Sequence, residues 1–240
     1  MRSRLCVAIC GVVAMAGTLS ADIILSATAL NDALKKMQRL RQTIDGASGT
    51  ARAEALFQLA TEADALTTLI NDEVAEHGSQ EKALIDLGIS RTRELGVAIA
   101  YSASKKKFFY DNAAYREYLT LVRRGAHVEQ ATFKLLEGDF FQSEPSDIAG
   151  IEAGTERKRV FLRDYPASAG APEVHLMLTV DYRDLFRHYD AAGDSRKRAR
   201  YRDAARQRMR ELMKRFPKTE QAEIARRMLQ RFDEELRRIP

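Results

Sequence analysis

The chain contains no tryptophan, only five prolines and only two cysteines among 240 residues. Both cysteines, Cys6 and Cys10, fall in the first ten positions. If that segment is removed, the remainder has no thiol, which excludes thiol catalysis, zinc–cysteine sites and Fe–S clusters. Neither sign of charge dominates, with 39 Lys+Arg against 34 Asp+Glu. A chain that is 45% apolar and 30% charged is neither disordered, nor collagen-like, nor a multi-span membrane protein. After residue 25 no alternation of Val, Ile and Thr reads as a strand, so a β-architecture is not expected. The Leu5–Gly17 apolar run is 13 residues, too short for a helix crossing a bilayer of about 30 Å.

That run belongs to a leader. Arg2 and Arg4 precede it, and Leu19-Ser20-Ala21 supplies a small-residue exit, the three-part layout of a secretory signal peptide. Cleavage is predicted after Ala21, with Ser20 as the alternative, leaving Asp22 first. Ile9 stands before Cys10 where a lipobox needs a small residue, which argues against lipidation. A periplasmic location follows as an expectation.

The rest predicts an all-α fold. Ile23, Ala27, Leu30, Leu34, Met37 and Ile44 form one stripe, and Leu56, Leu59, Ala63, Leu66 and Ile70 a second, separated by the turn at Gly46–Gly49. These read as a helical hairpin, either packed as plain core or self-associating as a coiled coil. Further helices are predicted at roughly 80–104, 107–124, 127–142, 147–165, 171–190, 195–216 and 219–238, stopped by Gly125, Pro145, Pro166, Gly170, Gly193 and Pro217. The organisation expected is a leader at 1–21, a hairpin region at 22–104 and helical repeats at 105–240. The compositional seam is Lys105-Lys106-Lys107 before Phe108-Phe109-Tyr110.

Three helix junctions align. Tyr118-Leu119-x-x-Val122, Phe161-Leu162-x-x-Tyr165 and Leu212-Met213-x-x-Phe216 are each followed six residues later by Val128, Ala171 and Ala222. Pro166 and Pro217 directly follow the aromatics Tyr165 and Phe216. In physical terms an aromatic closes one helix against the next, proline stops it, Ser168 or Thr219 caps its successor, and alanine permits close approach. The pattern resembles the tetratricopeptide repeats of periplasmic envelope proteins, with BamD-like and Tol–Pal-associated (CpoB-like) proteins the nearest types. It covers about residues 107–238. Junction spacings of 43 and 51 depart from the usual 34, and the first junction carries Arg124-Gly125 without proline. The resemblance implies an α-solenoid scaffold with a concave binding surface.

Chemical constellations are weak. Ser102-Ala103-Ser104-Lys105, Ser146-Asp147-Ile148 and Lys218-Thr219-Glu220 stand in the order of the penicillin-binding motifs, but Ile148 and Glu220 replace the required Asn and Gly. Asp181, Asp184 and His188 share one side of a helix, where a solvated face is favoured over a metal site. Glu137, Asp139 and Glu144 are acidic without a sequence cue for a cleft, so paired-carboxylate glycan cleavage is disfavoured. No enzyme, metal or cofactor is expected.

Charge is more informative. Residues 196–218 hold eleven Lys+Arg against Asp203 and Glu211. Tyr201, Ala205, Met209, Leu212 and Phe216 form the predicted buried stripe, and Arg202, Arg206, Arg210 and Lys214 step by four beside it. Such a ladder either attracts polyanions or pairs with acidic neighbours within the same protein. The expectation is therefore a non-enzymatic periplasmic scaffold that binds another, possibly acidic, envelope protein. The alternative is a carrier or sensor of an anionic lipid phosphate or acidic glycan, in contact with the membrane surface. The export signal disfavours nucleic acid.

Overall fold

The computed structural model describes residues 25–78, 82–103, 105–144 and 146–237. The leader, both cysteines, the Asp22 terminus, Ser104 and Pro145 lie outside the described residues. Within them the chain is all-α apart from one short hairpin: α1 (Ala27–Gly46), α2 (Gly49–His77), α3 (Lys82–Glu94), β1 (Ile99–Ser102), β2 (Lys107–Tyr110), α4 (Ala113–Leu121), α5 (Val128–Gln142), α6 (Ile148–Asp164), α7 (Ala171–Ala191), α8 (Ser195–Arg215) and α9 (Glu220–Arg237). No helix among these residues is long and apolar enough to cross a membrane.

Helix α1 starts where the Ser26 side chain accepts the Ala29 N–H at 3.1 Å, satisfying a donor that the first helical turn leaves free. Leu30, Met37 and Ile44, seven residues apart, form its buried edge against α2. Helix α2 also packs against α4, so its burial extends well beyond the predicted stripe, to Ala53, Phe57, Ala60 and Thr67. Ala27, placed in the α1 stripe by sequence, is exposed.

The helices predicted at 80–104 and 107–124 are shorter than expected, and strands occur where none was foreseen. Gly96, at φ +75°, ends α3 in a conformation that costs glycine nothing, and its N–H reaches the Arg93 carbonyl. Beyond it Val97 and Ile99 are buried while Ala98 and Ala100 are exposed, the two-residue period of a strand. Antiparallel pairing runs from Ile99↔Tyr110 to Ser102↔Lys107. Strands of four residues are too short for their alternation to stand out from a helical background.

Two apolar clusters form the interior. One joins α1 to α4 and the hairpin and reaches Val128 and Ala131; the other begins at Leu136 and runs through α6 to α9. They meet on α5. The compositional seam at Lys105–Lys107 instead spans the hairpin turn and the start of β2. Helix α7 is the centre of the second cluster, and its residues from Ala171 to Thr179 are all buried.

Candidate functional site

The α6–α9 half contains two junctions of nearly the same shape. Tyr165 closes α6 at φ −128°, ψ 59°, and Phe216 closes α8 at φ −129°, ψ 52°. In each, the aromatic N–H bonds the carbonyl four residues back, Phe161 or Leu212. The N–H of Ser168 or Thr219 then bonds the aromatic's own carbonyl, and that of Ala171 or Ala222 bonds the Ser or Thr carbonyl. The preceding helices start alike too, with Asp147 accepting from Gly150 N and Asp194 accepting from Lys197 N, each at 2.9 Å. Helices α7 and α8 have 21 residues each against 15 in α5 and 17 in α6, and this added helix length accounts for the longer second spacing. Ala171 and Ala222 are fully buried. Tyr165 and Phe216 are only half-buried, resting on Phe161 and His175, while Pro166 and Pro217 are exposed. The Arg215 guanidinium donates to the Pro166 carbonyl at 3.2 Å, tying one junction to the next. Val122 closes α4 at ψ 109°, so the first junction has a different course.

The basic ladder does not form one surface. Arg202 is held by its neighbour Asp203 at 2.8 Å, and Arg206 Nε lies 3.0 Å from Asp233 Oδ1 on α9, close enough for an ion pair but not aligned as a hydrogen bond. Arg210 and Lys214 are exposed and have no partner among the described residues. Half of the ladder therefore pairs within the chain and half faces solvent. Arg208, just off the ladder, binds Glu211 at 2.9 Å and reaches His175 Nδ1 at 3.3 Å.

His175 is fully buried against Phe216. Burial, aided by the Arg208 and Arg215 charges, lowers its pKa from 6.5 to about 4. Between these values the unfolded chain holds the extra proton, so the stability His175 confers is present above about pH 6.5 and is lost as pH falls towards 4. The stability advantage of the wild type over His175→Gln should shrink by about 2 kcal/mol between pH 7 and pH 4 in urea titrations. A gap that stays constant with pH would mean that His175 is not held neutral.

The sequence reading missed two polar clusters. Glu152 Oε1 on α6 accepts from Tyr189 at 2.8 Å and from Tyr201 at 3.0 Å, joining α6, α7 and α8. The two rings stack with centroids 5.6 Å apart, and Lys197 Nζ lies 2.9 Å from the Tyr189 hydroxyl. The Tyr189 hydrogen bond is the main cause holding the Glu152 carboxyl below its usual range. Burial and the Glu152 carboxylate push the Tyr201 phenol up to about 12. The second cluster is the ion pair Lys158–Asp181, at 2.6 Å with side chains 4% and 6% exposed. Burial raises the Asp181 carboxyl to about 6 against the pull of Lys158.

The other sequence candidates are dispersed. Asp181 is engaged by Lys158, and His188 is exposed with its ring edge-on to Tyr189. Glu137 binds Lys134, itself held by Asp64, whereas Asp139 binds Arg157. Asp147 and Thr219 act as helix caps. No group of three metal-ligating side chains occurs among the described residues. No protein-family model matches the chain, and no curated protein or solved structure matches it.

Proposed function

We propose that the protein is a non-enzymatic helical-repeat scaffold of the periplasm that binds another envelope protein. The observation that supports this reading most is the recurrence of one junction geometry at Tyr165–Ala171 and Phe216–Ala222. Stacked hairpins that recur with the same turns present side chains from successive helices along a continuous surface, the arrangement solenoids use to hold extended partners. The junctions themselves serve packing. The charged residues of α8 that face solvent serve recognition.

A second reading is favoured by Arg210 and Lys214, which have no partner among the described residues and so offer two cations to an anionic lipid or glycan. The two readings separate on one set of variants. Arg206→Glu sets a like charge against Asp233 and should lower the melting midpoint by a few degrees, about 1 kcal/mol. Arg210→Glu with Lys214→Glu touches no partner among the described residues and should leave the midpoint within about 0.5 kcal/mol of the wild type. The scaffold reading expects tagged protein from the periplasm to retain a stoichiometric envelope protein and to ignore phosphatidylglycerol vesicles. Salt-sensitive vesicle binding that the Arg210/Lys214 variant abolishes, with no protein retained, would install the anionic-ligand reading instead.

A further inference from the structure

The β-hairpin has one covered edge and one bare one. Asp111 N–H donates to the Ala98 carbonyl at 3.0 Å, which fixes the ladder so that Ala100 and Ser102 bond towards β2 while Ile99 and Tyr101 direct their N–H and C=O groups outward. On the far side of β2 the outward groups are occupied. The Asn71 side chain donates to the Phe108 carbonyl at 2.9 Å and accepts the Phe108 N–H at 2.8 Å, and Gln142 donates to the Tyr110 carbonyl at 3.4 Å. The outward groups of Ile99 and Tyr101 have no partner among the described residues. Ile99-Ala100-Tyr101-Ser102 also lacks the lysine, proline or bulge that guards a free strand edge.

An apolar groove of about 650 Å³ opens beside this edge, between α3, the end of α2 and the hairpin. Val74, Ile85, Ile89, Ile99, Tyr101 and Phe108 line it, and Tyr101 is 52% exposed although its ring packs on Phe108. That volume is in the range of pockets that hold ligand groups. The surrounding charge is mainly positive. Lys82 is paired with Asp86, but Arg93 on the groove wall and Lys106 in the hairpin turn have no ion-pair partner among the described residues.

We infer that β1 and this groove form a docking site for an extended peptide of another protein, apolar at alternate positions and flanked by acidic residues. The peptide adds a strand to β1 by bonding the outward groups of Ile99 and Tyr101. Every second side chain then enters the groove, and its acidic flanks meet Arg93 and Lys106. A bare backbone edge selects an extended chain over a free amphiphile, since only a peptide supplies donors and acceptors at strand spacing. The site lies in the other half of the molecule from α8 and stands independently of the function proposed above.

The probe is the fluorescein-labelled peptide Asp-Glu-Val-Thr-Val-Thr-Val-Asp-Glu, followed by anisotropy and by amide exchange of the whole protein. The expected result is saturable binding in the range of tens of micromolar, with slowed exchange at the Ile99 and Tyr101 amides. Tyr101→Pro removes an N–H that pairing with β2 does not use, and should weaken binding at least about tenfold with the melting midpoint kept. Arg93→Glu should weaken it several-fold, less so at high salt. If Tyr101→Pro fails to fold, the exchange pattern of the wild type decides. No binding up to about 1 mM, binding without protection at Ile99 and Tyr101, or full binding to a folded Tyr101→Pro would each overturn the inference. A peptide-free dimer that Tyr101→Pro dissociates would overturn it in favour of a second copy.

Discussion

Replacing Lys158 with methionine should destabilise the protein by about 3–5 kcal/mol at neutral pH. Lys158 and Asp181 are both almost wholly shielded from water, and the ammonium also lies 5.2 Å from the centre of the Phe140 ring. Removing the cation leaves a carboxylate in an apolar seam between α6 and α7 with nothing to offset its lost hydration. The double variant Lys158→Met with Asp181→Leu should regain most of the loss, because it removes both buried charges together. The direction of the pH effect follows from Asp181. Its folded pKa, about 6 in the wild type, stands above the usual 3.8 and rises further once the lysine is gone. The folded variant therefore takes up a proton more readily than the unfolded chain, and the deficit relative to wild type should shrink as pH falls from 7 to 5. Urea unfolding of the three proteins at both pH values measures this; a neutral-pH loss under about 1 kcal/mol would mean that the pair is hydrated.

Phe232→Ala should cost a similar amount, about 3–5 kcal/mol. The Phe232 ring is fully buried, edge-on to Phe186 at a centroid distance of 5.2 Å, with the Arg183 guanidinium 5.8 Å from its centre. It is the deepest anchor of α9 against α7, because Ala222 and Ala225 are small and Met228 is nearer the surface. Truncation opens a cavity between α9 and α7 where the ring now sits. Arg227→Ala, at an exposed position of the same helix, is the control and should stay within about 0.5 kcal/mol. Equal midpoints for the two variants would place α9 elsewhere than on Phe186.

The long helices were legible because each keeps an apolar stripe over several turns and several of them end at a glycine or just before a proline. Helices α5 to α9 begin and end within one or two residues of the boundaries read from sequence. The hairpin was not legible. Its strands are four residues each, and Asn71, which completes the edge of β2, is remote in sequence on α2. The ladder shows a similar limit. Spacing by four sets Arg206 next to the residues of the apolar stripe, yet Asp233, the residue that claims it, comes 27 positions later on another helix. The Glu152–Tyr189–Tyr201 cluster gathers three helices and leaves no local signature, so only folding reveals it. The aromatic closures at Tyr165 and Phe216 were recognised by type. Their half-exposure depends on how far the next helix overlaps them, and residue type does not encode that.

The meeting of two apolar clusters on α5 has a thermodynamic consequence. Val128 and Ala131 belong to one cluster and Leu136 to the other, so this one helix is common property of two cooperative units. Either unit can open while the other still holds α5 in place. The helix then persists until the second unit yields, and its backbone takes on the lifetime of whichever half is the more durable.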